Sequence, residues 1–307
     1  MIITHSPVAI TDHLLLLGAN EYPIFLAHEG GEAAVFEGGV GACAPLLAEQ
    51  LAAFGIDPES VNQIVVTHAH PDHVMAVPAF RRMFPAAQVL ASSRAATTMA
   101  NEKAINFFAK IDQALTAWLL SKGTITEAQR PPAFNETTIP VERILNEGDT
   151  VTVGELTFNV MATPGHSDCS LSFFEPTRKI AIVADVTGFY FPAANWWWPM
   201  YFSNYEAYLD SNRRLAALGA EVLCLSHNAV ITGSDAIHQY FEGATAATVA
   251  YHQRIVDAVR AGQELRALAG ELGTEVHARS GSLDVDFFQK NCSLLVKHSL
   301  AHEGMLT

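Results

Sequence analysis

Three histidines and an aspartate fall within six residues of this 307-residue chain, His68-Ala69-His70-Pro71-Asp72-His73, directly after the apolar run 64–66 and Thr67. Side chains of a continued strand alternate between faces, whereas at a strand end that turns into a loop they can converge on one point. Crowded imidazoles repel one another once protonated, so the grouping serves little structural purpose and reads as a ligand set. Imidazole nitrogen and carboxylate oxygen suit zinc, iron or manganese, and an open site needs only three protein ligands per metal.

Three further candidates close apolar runs downstream. His166 follows Thr163-Pro164-Gly165, Asp185 follows 180–184, and His227 follows 222–225 and Ser226. Ligands from several strand ends would line one edge of a sheet, which suits a dinuclear site with its metals about 3.5–4 Å apart. His238, His252, His277, His298 and His302 sit in helical stretches without ligand spacing and read as ordinary core or surface residues. Ser167-Asp168 is either a hydrogen-bonding support for the His166 ring or a simple turn.

The remaining pattern predicts an α/β chain. Runs 14–17, 24–27 and 33–36, punctuated by Gly18, Gly30-Gly31 and Gly38-Gly39, read as strands joined by hairpins. A helix is expected over 44–54, stopping at Gly55. Ile105, Phe108, Ile111, Leu115 and Trp118 recur at spacings of three and four, which predicts one long amphipathic helix or a pair across 93–122. Strands are expected at 151–153, 156–161, 171–174, 180–183 and 222–225. Ser203 followed by Glu206 predicts a capping box opening a helix that stops at Gly219. Beyond Gly233 the pattern is helical throughout. The expected organisation is a core over 1–232, with a helical insertion at about 93–135, and a C-terminal helical cap over 233–307.

Half of the residues are apolar and 16% are charged, which excludes global disorder. Eighteen basic against 32 acidic residues give a net charge of −14, and no window is rich in Lys and Arg. A nucleic-acid partner, which needs a phosphate-neutralising patch, is therefore not expected. No apolar run is long enough to span a bilayer, and the opening residues lack a basic stretch followed by an apolar core. Cys43, Cys169, Cys224 and Cys292 are widely spaced and read as reduced thiols, so a cytoplasmic location without membrane contact is expected.

The His68, His70, Asp72, His73 cluster, with His166 after a Pro-Gly turn, Asp185 closing a strand and a late His227, resembles the metallo-β-lactamase-fold superfamily. The resemblance covers roughly residues 10–230 and implies a four-layer αββα sandwich. It further implies two divalent metal ions per chain, zinc first and iron or manganese as alternatives. One would be held by His68, His70 and His166, the other by Asp72, His73 and His227, with Asp185 bridging. A metal-bridged hydroxide would then attack a carbonyl, and Asp72 would orient the nucleophile or shuttle its proton. The chain departs from the family pattern in having Val74-Met75-Ala76 where a Gly-Gly pair is common, and Ser226 and Asn228 flanking the late histidine. Both changes alter the pocket floor and leave the ligands intact.

Eight of the fourteen residues 189–202 are aromatic, against 9% for the whole chain. Being tethered to Asp185, Phe189, Trp196, Trp197 and Trp198 are expected to wall a pocket for an apolar acyl substrate. The same segment could instead pack on the C-terminal helices or on a second copy in a homodimer. The long insertion, acidic balance and C-terminal helices are similar in layout to the quinolone-signal response thioesterase-like branch. The glyoxalase II-like branch also carries C-terminal helices but grips its cofactor with basic residues, and the cations here are not clustered. The expected activity is hydrolysis of an apolar ester or thioester. Lactone hydrolysis, or a metal-containing ligand sensor or protein-interaction module with little catalysis, are the alternatives.

Overall fold

Residues 14–17 are four consecutive leucines, a pattern that suits a strand buried on both faces. In the computed structural model, which describes residues 1–306, Leu14–Ala19 is such a strand. Leu14 and Leu16 point into one hydrophobic cluster, and Leu15 and Leu17 into another. The next strand, Tyr22–Glu29, divides in the same way, with Phe25 and Ala27 on the first side and Ile24 and Leu26 on the second. Its hairpin to Glu32–Phe36 turns through Gly30 and Gly31, both at positive φ, the backbone that a two-residue hairpin turn demands.

Seven strands make the first sheet. From one edge they run Val8–Thr11, Leu14–Ala19, Tyr22–Glu29, Glu32–Phe36, Val61–Val65, Gln88–Ser92 and Arg143–Leu145. The last four are parallel and connected through helices, Cys43–Phe54 among them. A second sheet of seven runs Ile2–Ile3, Val230–Thr232, Val222–Cys224, Ile180–Ile182, Leu171–Glu175, Leu156–Ala162 and Thr150–Val153. Its one parallel pair, Ile180–Ile182 with Val222–Cys224, is connected through helix Tyr205–Ala216.

Three buried layers separate these elements. The middle one joins the sheets face to face, with Phe36 of the first against Phe158 and Phe173 of the second at ring distances of 4.9 and 5.2 Å. A second layer lies between the first sheet and the helices of its outer face, including Glu102–Lys122. The third lies between the second sheet and helices Tyr205–Ala216, Ser234–Arg260, Leu265–Ser280 and Val285–His302. Fully burying one Leu or Phe side chain contributes about 1.5–3 kcal/mol. The result is a helix–sheet–sheet–helix sandwich, with the C-terminal helices sharing one apolar cluster with the second sheet.

Two expectations are refined. The amphipathic pattern over 93–122 is a pair of helices, Ser93–Met99 and Glu102–Lys122, the second capped by the Asn101 carboxamide. The capping box at Ser203 is not formed: Asn204 caps helix Tyr205–Ala216 by accepting from the Ala207 amide at 2.8 Å. Ser203 instead donates its hydroxyl to the Gly165 carbonyl, which also accepts the amides of Ser203 and Asn204. The polar residue one place further on is better placed to reach the free amides of the first turn.

Candidate metal centre

The seven predicted residues converge at one end of the sandwich, from both sheets. His68 and His70 lie just beyond Val61–Val65, and the short helix Pro71–Val74 presents Asp72 and His73. His166, Asp185 and His227 follow Leu156–Ala162, Ile180–Ile182 and Val222–Cys224 of the second sheet. They form two groups, His68, His70, His166 and Asp185 on one side and Asp72, His73 and His227 on the other, with donor atoms within 4.8 Å of one another in each.

Asp185 stands between the groups. Its Oδ2 is 3.8 Å from His68 Nε2 and 3.4 Å from His166 Nε2, while its Oδ1 is 3.5 Å from His73 Nε2 and 3.2 Å from His227 Nε2. His70 completes the first group through Nδ1, 3.1 Å from His68 Nε2 and 2.9 Å from His166 Nε2. Asp72 Oδ2 completes the second, 3.6 Å from the Nε2 of both His73 and His227.

The outer nitrogens are held by the protein. His166 Nδ1 meets the Met200 carbonyl at 2.9 Å and His227 Nδ1 the Glu21 carbonyl at 2.8 Å. A hydrogen-bonded outer nitrogen fixes the tautomer and leaves the inner lone pair for a ligand. Ser226 Oγ donates to Asp185 Oδ1 at 2.6 Å. Ser167 does not support His166: its hydroxyl engages Ser170 and Cys169, and Asp168 pairs with Arg94. That pair of residues is a turn.

Glu37 is the residue that sequence reasoning missed. It is 1% exposed and sits at φ 81 directly after strand Glu32–Phe36. That left-handed backbone turns its carboxylate beneath the cluster, where Oε2 meets His73 Nδ1 at 2.9 Å and Oε1 accepts the Thr67 hydroxyl at 2.7 Å. The available signal was a charged residue between an apolar run and the Gly38-Gly39 pair.

Gly165 makes the approach of His166 feasible. An added Cβ there would lie 2.3 Å from the Tyr208 backbone, and its φ of 121° is one that other residues rarely adopt. The helix therefore packs directly on the turn that carries the ligand.

Burial pulls the proton affinities of His68 and His70 down, with neighbouring imidazoles adding repulsion, and pushes His166 to about 3. Burial also disfavours charge on His73 and His227, but the carboxylates around them outweigh it and raise both. Burial alone would raise Asp185; His227, His73 and His166 hold it well below the ordinary carboxylate range instead. The donor set fits a divalent cation: five imidazoles converge on the Asp185 carboxylate, those of His68, His70 and His166 held neutral, and among the described residues the buried His73 Nε2 has no hydrogen-bond partner. A buried nitrogen left without a partner is costly unless something else binds it.

Above the cluster opens a cavity of about 730 Å³. Its walls come from helix Glu102–Lys122, the hairpin Phe189–Phe191 with Trp196–Trp198, and helix Val285–His302. Phe189 and Trp198 are among the lining residues, as expected. Trp196 and Trp197 are not. Alternation along the strand turns Trp197 onto Tyr190, Tyr240 and Gly243, and Trp196 carries the Arg279 guanidinium over its ring.

A two-sheet sandwich with a buried His/Asp cluster at one end defines a scaffold with the donors to hold metal ions. Residues 20–227 match the model of the metallo-beta-lactamase superfamily, and the chain belongs to that family. Among solved structures it is similar to a metallo-beta-lactamase family protein from Thermus thermophilus, at 23% identity and a TM-score of 0.64, over 96% of this chain and 95% of that one. A metallo-beta-lactamase with a HARLDQ motif from Cronobacter sakazakii matches at 19% identity and 0.58, over 84% of this chain and 100% of that one. Rubredoxin oxygen:oxidoreductase from Desulfovibrio gigas matches at 17% and 0.54, over 79% of this chain and 61% of that one. At these identities the structures share the fold. Family and cluster together support a metal-dependent hydrolase using divalent cations. Among the described residues no helix is long and apolar enough to cross a membrane.

Proposed function

We propose that the protein hydrolyses an apolar ester or thioester at a dinuclear metal centre. The observation that carries this reading is the Asp185 carboxylate, one oxygen toward each histidine group, on the floor of a largely apolar cavity. His68, His70 and His166 would hold one cation and Asp72, His73 and His227 the other, zinc first, with iron or manganese accepted by the same donors. Two bound cations would lower the pKa of water from near 16 toward about 7 and polarise a carbonyl.

The chain's own residues supply the rest. Asp72 is more open than Asp185, 24% exposed against 5% at the side chain, and lines the cavity. Its carboxylate can accept a hydrogen bond from a water on the cavity side and take up that proton. The aromatic and aliphatic walls, Phe108, Ile111, Phe189 and Phe288 among them, bind an apolar acyl group and exclude water around it. A thiolate leaving group needs little protonation, so no strong acid is required near it.

The test is metal analysis of protein purified without added metal, paired with a hydrolysis panel of acyl thioesters, esters and lactones. Close to two cations per chain, with thioester or ester turnover lost on chelation, supports the reading. Turnover confined to lactones would reassign the substrate. Two cations with no turnover on any substrate would favour a sensor or partner-binding role.

A further inference from the structure

Among the described residues, the cavity holds one hydroxyl without a hydrogen-bond partner. Tyr22, in strand Tyr22–Glu29, is 5% exposed, and its ring packs in the core beneath the first sheet's helices while also lining the cavity beside His227, Asp72 and Asp185. The ring stands edge-on to His227 at 5.7 Å and to Trp118 at 6.5 Å, which fixes its place beside the second ligand group. Other hydroxyls lining the cavity are engaged: Thr98 donates to the Arg94 carbonyl, Ser203 to the Gly165 carbonyl, Ser167 is shared with Ser170, and Ser280 pairs with Ser282. The Tyr22 hydroxyl has no such partner, nor is it a sealed orphan within the core. A buried aromatic side chain ordinarily finds a partner for its polar end. Here the open direction is the cavity.

We propose that Tyr22 is a catalytic residue that donates a hydrogen bond from its hydroxyl to the scissile acyl oxygen. This rests on the ester or thioester reading above. As the nucleophile attacks, the carbonyl π pair moves onto that oxygen, and the phenol O–H meets the growing charge; the proton stays on the tyrosine throughout. A phenol ordinarily titrates at about 10, so at neutral pH the group is a hydrogen-bond donor. Asp72 and Asp185 can only accept when ionised, so they cannot serve this oxygen. A donor placed where charge develops, in a site shielded from water, is worth more in the transition state than in the ground state.

The test is Tyr22→Phe, which keeps the ring in the core, compared with wild type in the metal-loaded form. Cations per chain and melting temperature should match. On an apolar thioester, kcat should fall about 10- to 100-fold while KM stays within about twofold. By calorimetry, affinity for a tetrahedral phosphonate analogue should fall by a similar factor, and affinity for a thioether lacking the carbonyl should not change. Unchanged kcat and phosphonate affinity would overturn the assignment, as would equal weakening toward both analogues, which marks a packing role. If wild type turns over no ester or thioester and ignores the phosphonate, the hydrolase reading itself fails. That outcome is distinct from a working enzyme indifferent to Tyr22.

Discussion

The two ligand groups are made of the same residue types in opposite electrostatic surroundings. His68 and His166 are buried and His70 is half-buried beside them; lost hydration and neighbouring imidazoles pull all three proton affinities down and leave their lone pairs free. His73 and His227 are also buried, yet Glu37, Asp72 and Asp185 raise the proton affinity of His73, and Asp185 and Asp72 that of His227. The difference is how strongly the carboxylates act on each imidazole, not the depth of burial: Glu37 leads at His73 and Asp185 at His227. Identical side chains thus become a pre-deprotonated half and a half where a proton competes with a cation.

Substituting the shared residue should erase the distinction. Asp185→Ala removes an oxygen from each group, so metal analysis should find both cations lost and hydrolysis abolished; retention of both would break the bridging assignment. His68→Ala should likewise end turnover, through the first group. His227→Ala should leave about one cation per chain, because His68, His70 and His166 keep their own donors. Loss of both there would mean the halves do not bind separately.

Glu37→Gln sharpens the comparison further. It touches the second group directly, through His73, and the first only by way of Thr67, whose hydroxyl lies 3.1 Å from His68 Nδ1; loss of a direct outer partner weakens metal affinity about 10- to 100-fold. Competition with a chelator should show the larger loss for the second group's cation. The smallest effect lies outside the site, at Asp112, a carboxyl 5% exposed that accepts the Gly41 amide at 2.6 Å. Burial pushes its pKa from 3.8 to about 6. Between those values the folded chain keeps a proton that the unfolded chain releases, so stability falls as pH rises, by up to about 3 kcal/mol. Denaturation of metal-free Asp112→Asn should lack that component; an unchanged slope between about pH 4 and 6 would assign it to other groups.

Much of the site was legible because its residues sit at the ends of apolar runs, where a ligand has few structural reasons to be. His68 through His73 announce themselves by density, and His166, Asp185 and His227 by position. Glu37 was not legible, since its part depends on a left-handed backbone that carries it under a histidine 36 residues away. The Trp196–Trp198 run misled for a related reason. Composition reports how much aromatic surface a segment has; strand alternation in the paired hairpin turns Trp197 away from the cavity, and Trp196, on the Trp198 side, is taken up by the Arg279 guanidinium instead. The short strands Ile2–Ile3 and Val8–Thr11 carry too few residues for a periodic signal and exist through pairing with Val230–Thr232 and Leu14–Ala19.

The cluster draws four ligands from the loop beyond one sheet and three from the other, and the Glu21 carbonyl of the first sheet's hairpin holds His227 of the second. A cation coordinated from both sides would act as a staple across the sandwich. Its binding energy would add to the cohesion of the two sheets, as any ligand specific to the folded state does. Heat resistance would then serve as a gauge of how much metal the surroundings supply, and a metal-starved copy would be the first to be unfolded and cleared.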